Sequence, residues 1–108
     1  MSIKLDPRFY DSVMSEEKWS TVRQGRLEYD LGFTELDFGD VKVWVNVWAV
    51  VHAYVHRLCD EGAERDGFNS KSELLAVLKK HYPDLDINDE ITIVKWDLIG
   101  KVEDDVNA

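Results

Sequence analysis

The stretch from Val41 to Val55 constrains the fold more than any other part of this sequence. Val41, Val43, Val45 and Val47 alternate with Lys42, Trp44, Asn46 and Trp48. A period of two with this much β-branching is the mark of a half-buried strand. Through Ala49-Val50-Val51-His52-Ala53-Tyr54-Val55 the pattern becomes continuously apolar, as where a strand enters an interior or bends at a bulge. A strand of that length commits the chain to a sheet. With 108 residues, 44% of them hydrophobic, there is material for one core in one domain and not for two. Aromatic residues supply much of it, and the strand tryptophans Trp19, Trp44, Trp48 and Trp96 are expected chiefly inside.

Around this strand the periodicity changes several times, which predicts a compact α+β mixture. Ile3–Leu5 reads as a short strand. Asp6 then caps a helix with Pro7 at its first position, where the missing N–H costs nothing, and Phe9 and Val13 give that helix an apolar face up to about Glu17. Trp19–Arg23 reads as a strand, Gln24–Leu31 as a polar, turn-prone segment, and Leu36–Phe38 as a brief strand stopped by a tight turn at Gly39-Asp40. From His56 to Asp66 the spacing of Leu58, Cys59 and Ala63 predicts a short helix that Gly67 ends. Ser70-Lys71-Ser72-Glu73 is a capping box, opening a helix with Leu74, Leu75, Leu78 and Tyr82 on one side and Pro83 just past its end. Ile91–Leu98 is apolar on both faces at its start, so this closing strand belongs in the middle of the sheet. Residues 102–108 form an acidic tail with little to bury, expected to be disordered and to leave 1–101 as the domain.

Charge and cysteine usage narrow the function. Twenty-two acidic residues against 13 basic ones give a net charge of −9, which repels a polyphosphate over most of the surface and leaves room only for a local basic cleft. Most of that acidity serves solubility. The one cysteine, Cys59, excludes an internal disulfide and a thiolate metal site, and is expected to be a buried, inert thiol. No run approaches the ~18 apolar residues of a membrane helix, and the first residues lack a signal peptide's apolar stretch; the expectation is a cytoplasmic protein. His52, His56 and His81 do not fall at metal-ligand spacing in a segment read as strand, so neither a metal nor another cofactor is expected.

Against this acidic background, Lys18-Trp19-Ser20-Thr21-Val22-Arg23 sets two cations five positions apart with hydroxyls between them. Concentrated positive charge on a rigid element suggests a site. There is a geometric condition. Lys18 and Thr21 are three apart and point to opposite faces of an ideal strand, so they share a site only if Lys18 precedes the strand on a turn or bulge. Taken singly, Lys18 and Arg23 read more readily as surface cations paired with carboxylates, worth ~0–1 kcal/mol each, than as site residues.

The block Glu16-Glu17-Lys18-Trp19-Ser20-Thr21-Val22-Arg23, with Ala63-Glu64-Arg65-Asp66-Gly67-Phe68-Asn69-Ser70, Glu73-Leu74, His81-Tyr82-Pro83 and the closing Ile91-Thr92-Ile93-Val94, resembles the ASCH domain. That family's signature is G-x-K-x-x-x-x-R. Lys18 and Arg23 match it, while Glu16 stands at the glycine, where a left-handed backbone costs a residue with a side chain more. The resemblance implies a small PUA-like β-barrel of about five to six strands with two to three flanking helices. It further implies either RNA binding or, as in some small members, amidohydrolysis of N4-acylated cytidine-type nucleosides. On the second reading Lys18, Thr21 and Asp66 occupy the lysine, threonine and carboxylate positions. Asp66 is one methylene shorter than the Glu of the enzyme pattern, a displacement able to cost ~100-fold in rate. In that chemistry a desolvated Lys18 takes the threonine proton, Asp66 orients or protonates, and Arg23 or backbone N–H groups hold an oxyanion.

The preferred expectation is a binding module whose cleft holds Lys18, Thr21, Arg23 and Asp66 and accepts RNA or a modified nucleoside. Trp19 is the candidate base-stacking ring and Arg26 a candidate phosphate contact. A third class is a protein-interaction module that uses its acidic surface to mimic nucleic acid.

Overall fold

The computed structural model describes residues 2–102. Five strands, β1 (Ser2–Lys4), β2 (Ser20–Gln24), β3 (Gly32–Asp37), β4 (Lys42–Tyr54) and β5 (Glu90–Lys101), form one mixed sheet in the order β1-β3-β4-β5-β2. Three helices, α1 (Tyr10–Met14), α2 (Asp60–Arg65) and α3 (Lys71–His81), pack against it. Only the β1–β3 pair is parallel. The fold is α+β, a sheet curled into a half-barrel, and β5 lies centrally between β4 and β2 as its two-sided apolar pattern predicts.

The long β4–β5 ladder produces the curl. Its register shifts between Trp44 and Val45 and again between Val47 and Ala49, and an extra residue in one strand bends and twists a ladder. Curling brings the sheet's two edge strands towards each other: the Arg23 guanidinium of β2 donates from Nη2 to the carbonyl of Lys4 in β1. Two apolar clusters fill the interior. One gathers Ile3, Leu36, Val43, Val45, Val47, Val94 and Trp96 under the sheet, and the other sets Val22, Val55 and Ile91 against Ala63, Leu74 and Leu78 of α2 and α3. Ser70 caps α3 by accepting the Glu73 N–H at 3.2 Å, as the capping box predicts.

Several expectations need correction. Of the four tryptophans only Trp96 is core; Trp44 and Trp48 are 37% and 45% exposed on the outer face of β4, and Trp19 is half-buried against Trp48 with ring centroids 5.9 Å apart. The alternation that buries Val43, Val45 and Val47 turns Trp44 and Trp48 outward, and strand parity outweighs side-chain size. Cys59 is exposed rather than buried, because it stands one residue before α2 where the chain turns at the surface. The first helix breaks into a 3-10 turn (Pro7–Phe9) capped by Asp6 and the short α1, which ends at Met14 rather than near Glu17. The helix expected over His56–Asp66 is likewise a 3-10 turn, Val55–Arg57, followed by α2. β3 begins at Gly32, four residues before the expected strand. Of the acidic tail, Val102 donates its N–H to Lys42 at 2.9 Å; residues 103–108 lie outside the described residues. Among the described residues no helix is long and apolar enough to cross a membrane.

Candidate ligand-binding site

Two chain terminations build the site. After α1 the backbone reverses at Glu16, which takes φ +65°, the left-handed conformation for which glycine is the economical residue. Lys18 follows two residues later, before β2 begins, with its N–H bonded to Ser12 at 2.9 Å. The geometric condition set by the sequence is therefore met. Lys18 leaves the turn and Thr21 leaves the strand, and both line one cavity.

The second termination is that of α2. Phe68 N–H reaches the Ala63 carbonyl at 2.9 Å and Gly67 N–H that of Glu64 at 3.0 Å, the paired bonds of a Schellman motif with glycine in the left-handed position. Gly67 has φ +86°, and a Cβ placed on it would lie 3.0 Å from the Cβ of Lys18. The absence of a side chain at 67 lets the Asp66-Gly67-Phe68 turn close on Lys18, which pairs with Asp66 in an antiparallel bridge.

The result is an ion pair removed from water. Lys18 Nζ lies 2.9 Å from Asp66 Oδ1 and donates to the Asp66 backbone carbonyl at 2.9 Å. Ser20 Oγ donates to the same carboxylate at 3.2 Å, and Phe9 and Phe68 present their rings to the ammonium at 4.9 and 5.7 Å. Lys18 is 2% and Asp66 4% exposed. Burial pushes the Lys18 ammonium below the ordinary lysine range, against the pull of Asp66 and with help from Arg23. Burial also pushes the Asp66 carboxyl up, against the pull of Lys18, the Ser20 hydroxyl and Arg23. Removing two charges from water costs several kcal/mol per ion, which the mutual attraction offsets only when the geometry is this close.

The cavity beside this pair has a volume of about 260 Å³ and lies between the two sheet edges. Lys4, Leu5 and Asp6 wall it on the β1 side, Thr21, Val22 and Arg23 on the β2 side, and Leu74, Val77, Leu78, His81 and Tyr82 from α3, with Phe9, Lys18, Asp66 and Phe68 completing it. Lys18, Thr21, Arg23 and Asp66 are thus brought together. Sequence reasoning missed His81 and Tyr82 as wall residues, although their place at the end of the capped helix α3 was legible. Arg26 stands outside this cavity, 3.5 Å from Glu90. Trp19 lines a separate cavity of about 280 Å³ with Val13, Glu16, Trp48, Trp96 and Asp97, whose wall also includes Lys18. The remaining histidines lie elsewhere: His52 Nε2 is 2.7 Å from the Leu27 carbonyl, and His56 stacks on Tyr54.

No protein-family model matches the sequence, and no curated protein matches it either. Solved structures do match. The chain superposes on protein EF3133 from Enterococcus faecalis V583 with a TM-score of 0.73 at 10% identity, over 94% of this chain and 77% of that one. The ASCH domain from Lactobacillus crispatus JV V101 matches with a TM-score of 0.64 at 13% identity, over 83% of this chain and 69% of that one. The chain has an ASCH-like fold. A ZmASCH mutant protein from Zymomonas mobilis matches at 0.65 and 15% identity over 94% of this chain and 72% of that one. In this ASCH-like chain the turn that the signature gives to glycine is made by Glu16 in glycine's conformation, so the departure at this residue leaves the local backbone left-handed.

Proposed function

We propose that this protein binds a nucleoside-type ligand, free or as an unstacked residue of RNA, in the cavity between β1, β2 and α3. The observation that carries this reading is that Lys18, Thr21, Arg23 and Asp66 meet on the wall of one open cavity whose other side is aromatic and aliphatic. Ligand sites are of this kind, mostly apolar with a few convergent polar groups, and about 260 Å³ is small among ligand pockets, suited to one nucleoside rather than a length of strand. Phe9, Phe68 and Tyr82 offer rings to a base, and the Thr21 hydroxyl offers a donor and an acceptor. The unpaired Cys59 is compatible with a reducing, cytoplasmic setting.

A second reading, amidohydrolysis of an N4-acylated cytidine, draws on the lowered proton affinity of Lys18 beside Thr21. It requires Lys18 to surrender its proton, and Nζ already donates to two oxygens of Asp66. Binding without turnover is therefore favoured. Incubating wild type and Thr21→Val with N4-acetylcytidine, cytidine and a panel of short RNAs separates the readings. A binder retains ligand and releases no acetate in either form, whereas an enzyme releases acetate and Thr21→Val abolishes the release. Failure of every probe to bind at millimolar concentration would overturn both.

A further inference from the structure

We infer that the ligand of this cavity is a phosphorylated nucleoside, its phosphate carried on the sugar, and that Arg23 is the residue that reads the phosphate. The inference rests on the nucleoside reading and adds the chemical class of the ligand.

Cations are scarce in a chain of net charge −9, and carboxylates are abundant enough to neutralise them. Among the described residues the ion pairs occupy Arg8, Lys18, Arg26, Lys42 and Arg65. Arg23 is half-buried on the wall of the cavity and takes part in none of them. Among the described residues its one hydrogen-bond partner is the neutral carbonyl of Lys4.

The carboxylates of the same wall are already engaged. Asp66 is taken by Lys18 and Ser20, and Asp6 caps the Arg8 N–H at 3.0 Å and lies 3.9 Å from the Arg8 side chain. The charge that the wall offers uncommitted is positive: the Arg23 guanidinium and the Lys4 ammonium. A half-buried guanidinium with no anion at ion-pair distance, and only the already paired Asp66 acting on it from further off, has given up hydration for little direct charge compensation. An anionic ligand group completes it.

Phosphate fits the donor better than a carboxylate-free nucleoside does. Guanidinium carries five N–H donors in a planar fork that matches two phosphate oxygens at once. The bond to Lys4 spans the two sheet edges and holds the fork before the ligand arrives, so less rotamer entropy is lost on binding. Across the cavity the aromatic and aliphatic residues of α3 and the Phe68 turn remain for the heterocycle. Lys18 cannot serve the phosphate, because its charge is spent on Asp66.

Titration calorimetry at low ionic strength with cytidine, cytidine 5′-monophosphate and inorganic phosphate tests this, with a 5′-phosphorylated trinucleotide and its 5′-hydroxyl form as a second arm. The monophosphate should bind at least about tenfold more tightly than cytidine in wild type. Arg23→Gln should bring the ratio close to one, and Arg23→Lys, which keeps the charge but loses the fork, should lose most of it. Arg57→Gln makes the same change in net charge at an exposed position outside the cavity and should leave the ratio unchanged. Phosphate preference with the free monophosphate assigns a mononucleotide ligand, and preference with the trinucleotide alone assigns an RNA end; each supports the inference. Equal affinity for cytidine and its monophosphate, together with equal affinity for the two forms of the trinucleotide, would overturn it while leaving the nucleoside reading intact. So would an equal effect of Arg57→Gln, or competition by inorganic phosphate as strong as by the monophosphate. No binding of any probe would overturn both.

Discussion

Lys18 and Arg23 stand five residues apart on one short segment and receive opposite treatment. At the floor of the cavity Lys18 is sealed from water and its charge is cancelled within hydrogen-bond distance by Asp66. At the rim Arg23 is half-open and, among the described residues, hydrogen-bonds only a neutral carbonyl. The contrast separates two jobs that one signature could suggest are shared. A neutralised floor shapes the cavity and fixes the Asp66-Gly67-Phe68 turn against β2, while an uncommitted rim has charge left for a ligand.

Breaking the floor has the largest consequence. Asp66→Ala strands a buried ammonium and should destabilise the fold by about 3–5 kcal/mol, seen as a fall in Tm of roughly 10 °C or more. The double change Lys18→Met with Asp66→Leu removes both charges and should recover most of that loss in the same melting experiment. If Asp66→Ala melts within a degree or two of wild type, the floor is not what holds the turn.

Gly67→Ala attacks the same region through the backbone. A side chain there meets Lys18 Cβ at 3.0 Å in a left-handed conformation, so urea unfolding should show a loss of about 1–3 kcal/mol. An unchanged midpoint would mean that the turn tolerates a side chain and that the Lys18 contact is slack.

The pH dependence sharpens the comparison further. In Asp66→Asn the carboxylate that raises the Lys18 proton affinity is gone, while burial and Arg23 still lower it. As pH rises the folded state releases that proton before the unfolded state does, so the unfolded chain binds more protons and stability climbs with pH. The stability deficit of Asp66→Asn should therefore shrink between neutral pH and the ordinary lysine value of 10.5, measured as urea midpoints across that range. A deficit that stays constant or grows would show that Lys18 is not desolvated.

The rim should be the gentlest to break. Arg23→Gln loses an exposed hydrogen bond between sheet edges and should cost about 1 kcal/mol or less, with its effect falling on ligand affinity instead. A loss of the size expected for Asp66→Ala would make Arg23 a structural clamp and erase the distinction between floor and rim.

Much of the frame was legible because it depends on local rules. The alternation at Val43, Val45 and Val47, the capping box at Ser70 and the turn at Gly67 each state their conformation within a few residues. The candidate site was only half legible. Strand geometry set the condition that Lys18 precede β2, and the Glu16 turn satisfies it, but nothing local says that this lysine is buried, since its partner lies 48 residues away. The outward tryptophans failed for a different reason. Their size argued for the core, but parity with the buried valines decided their face, and the shifts at Trp44/Val45 and Val47/Ala49 arise from pairing that no single strand reveals.

The direct test of the account is to follow backbone amide resonances during titration with cytidine 5′-monophosphate. The account predicts shifts concentrated on residues 18–23, on Asp66-Gly67-Phe68 and on the last turn of α3 around His81. Shifts confined to the outer face around Phe33, Trp44 and Trp48, or none at millimolar ligand, would contradict it.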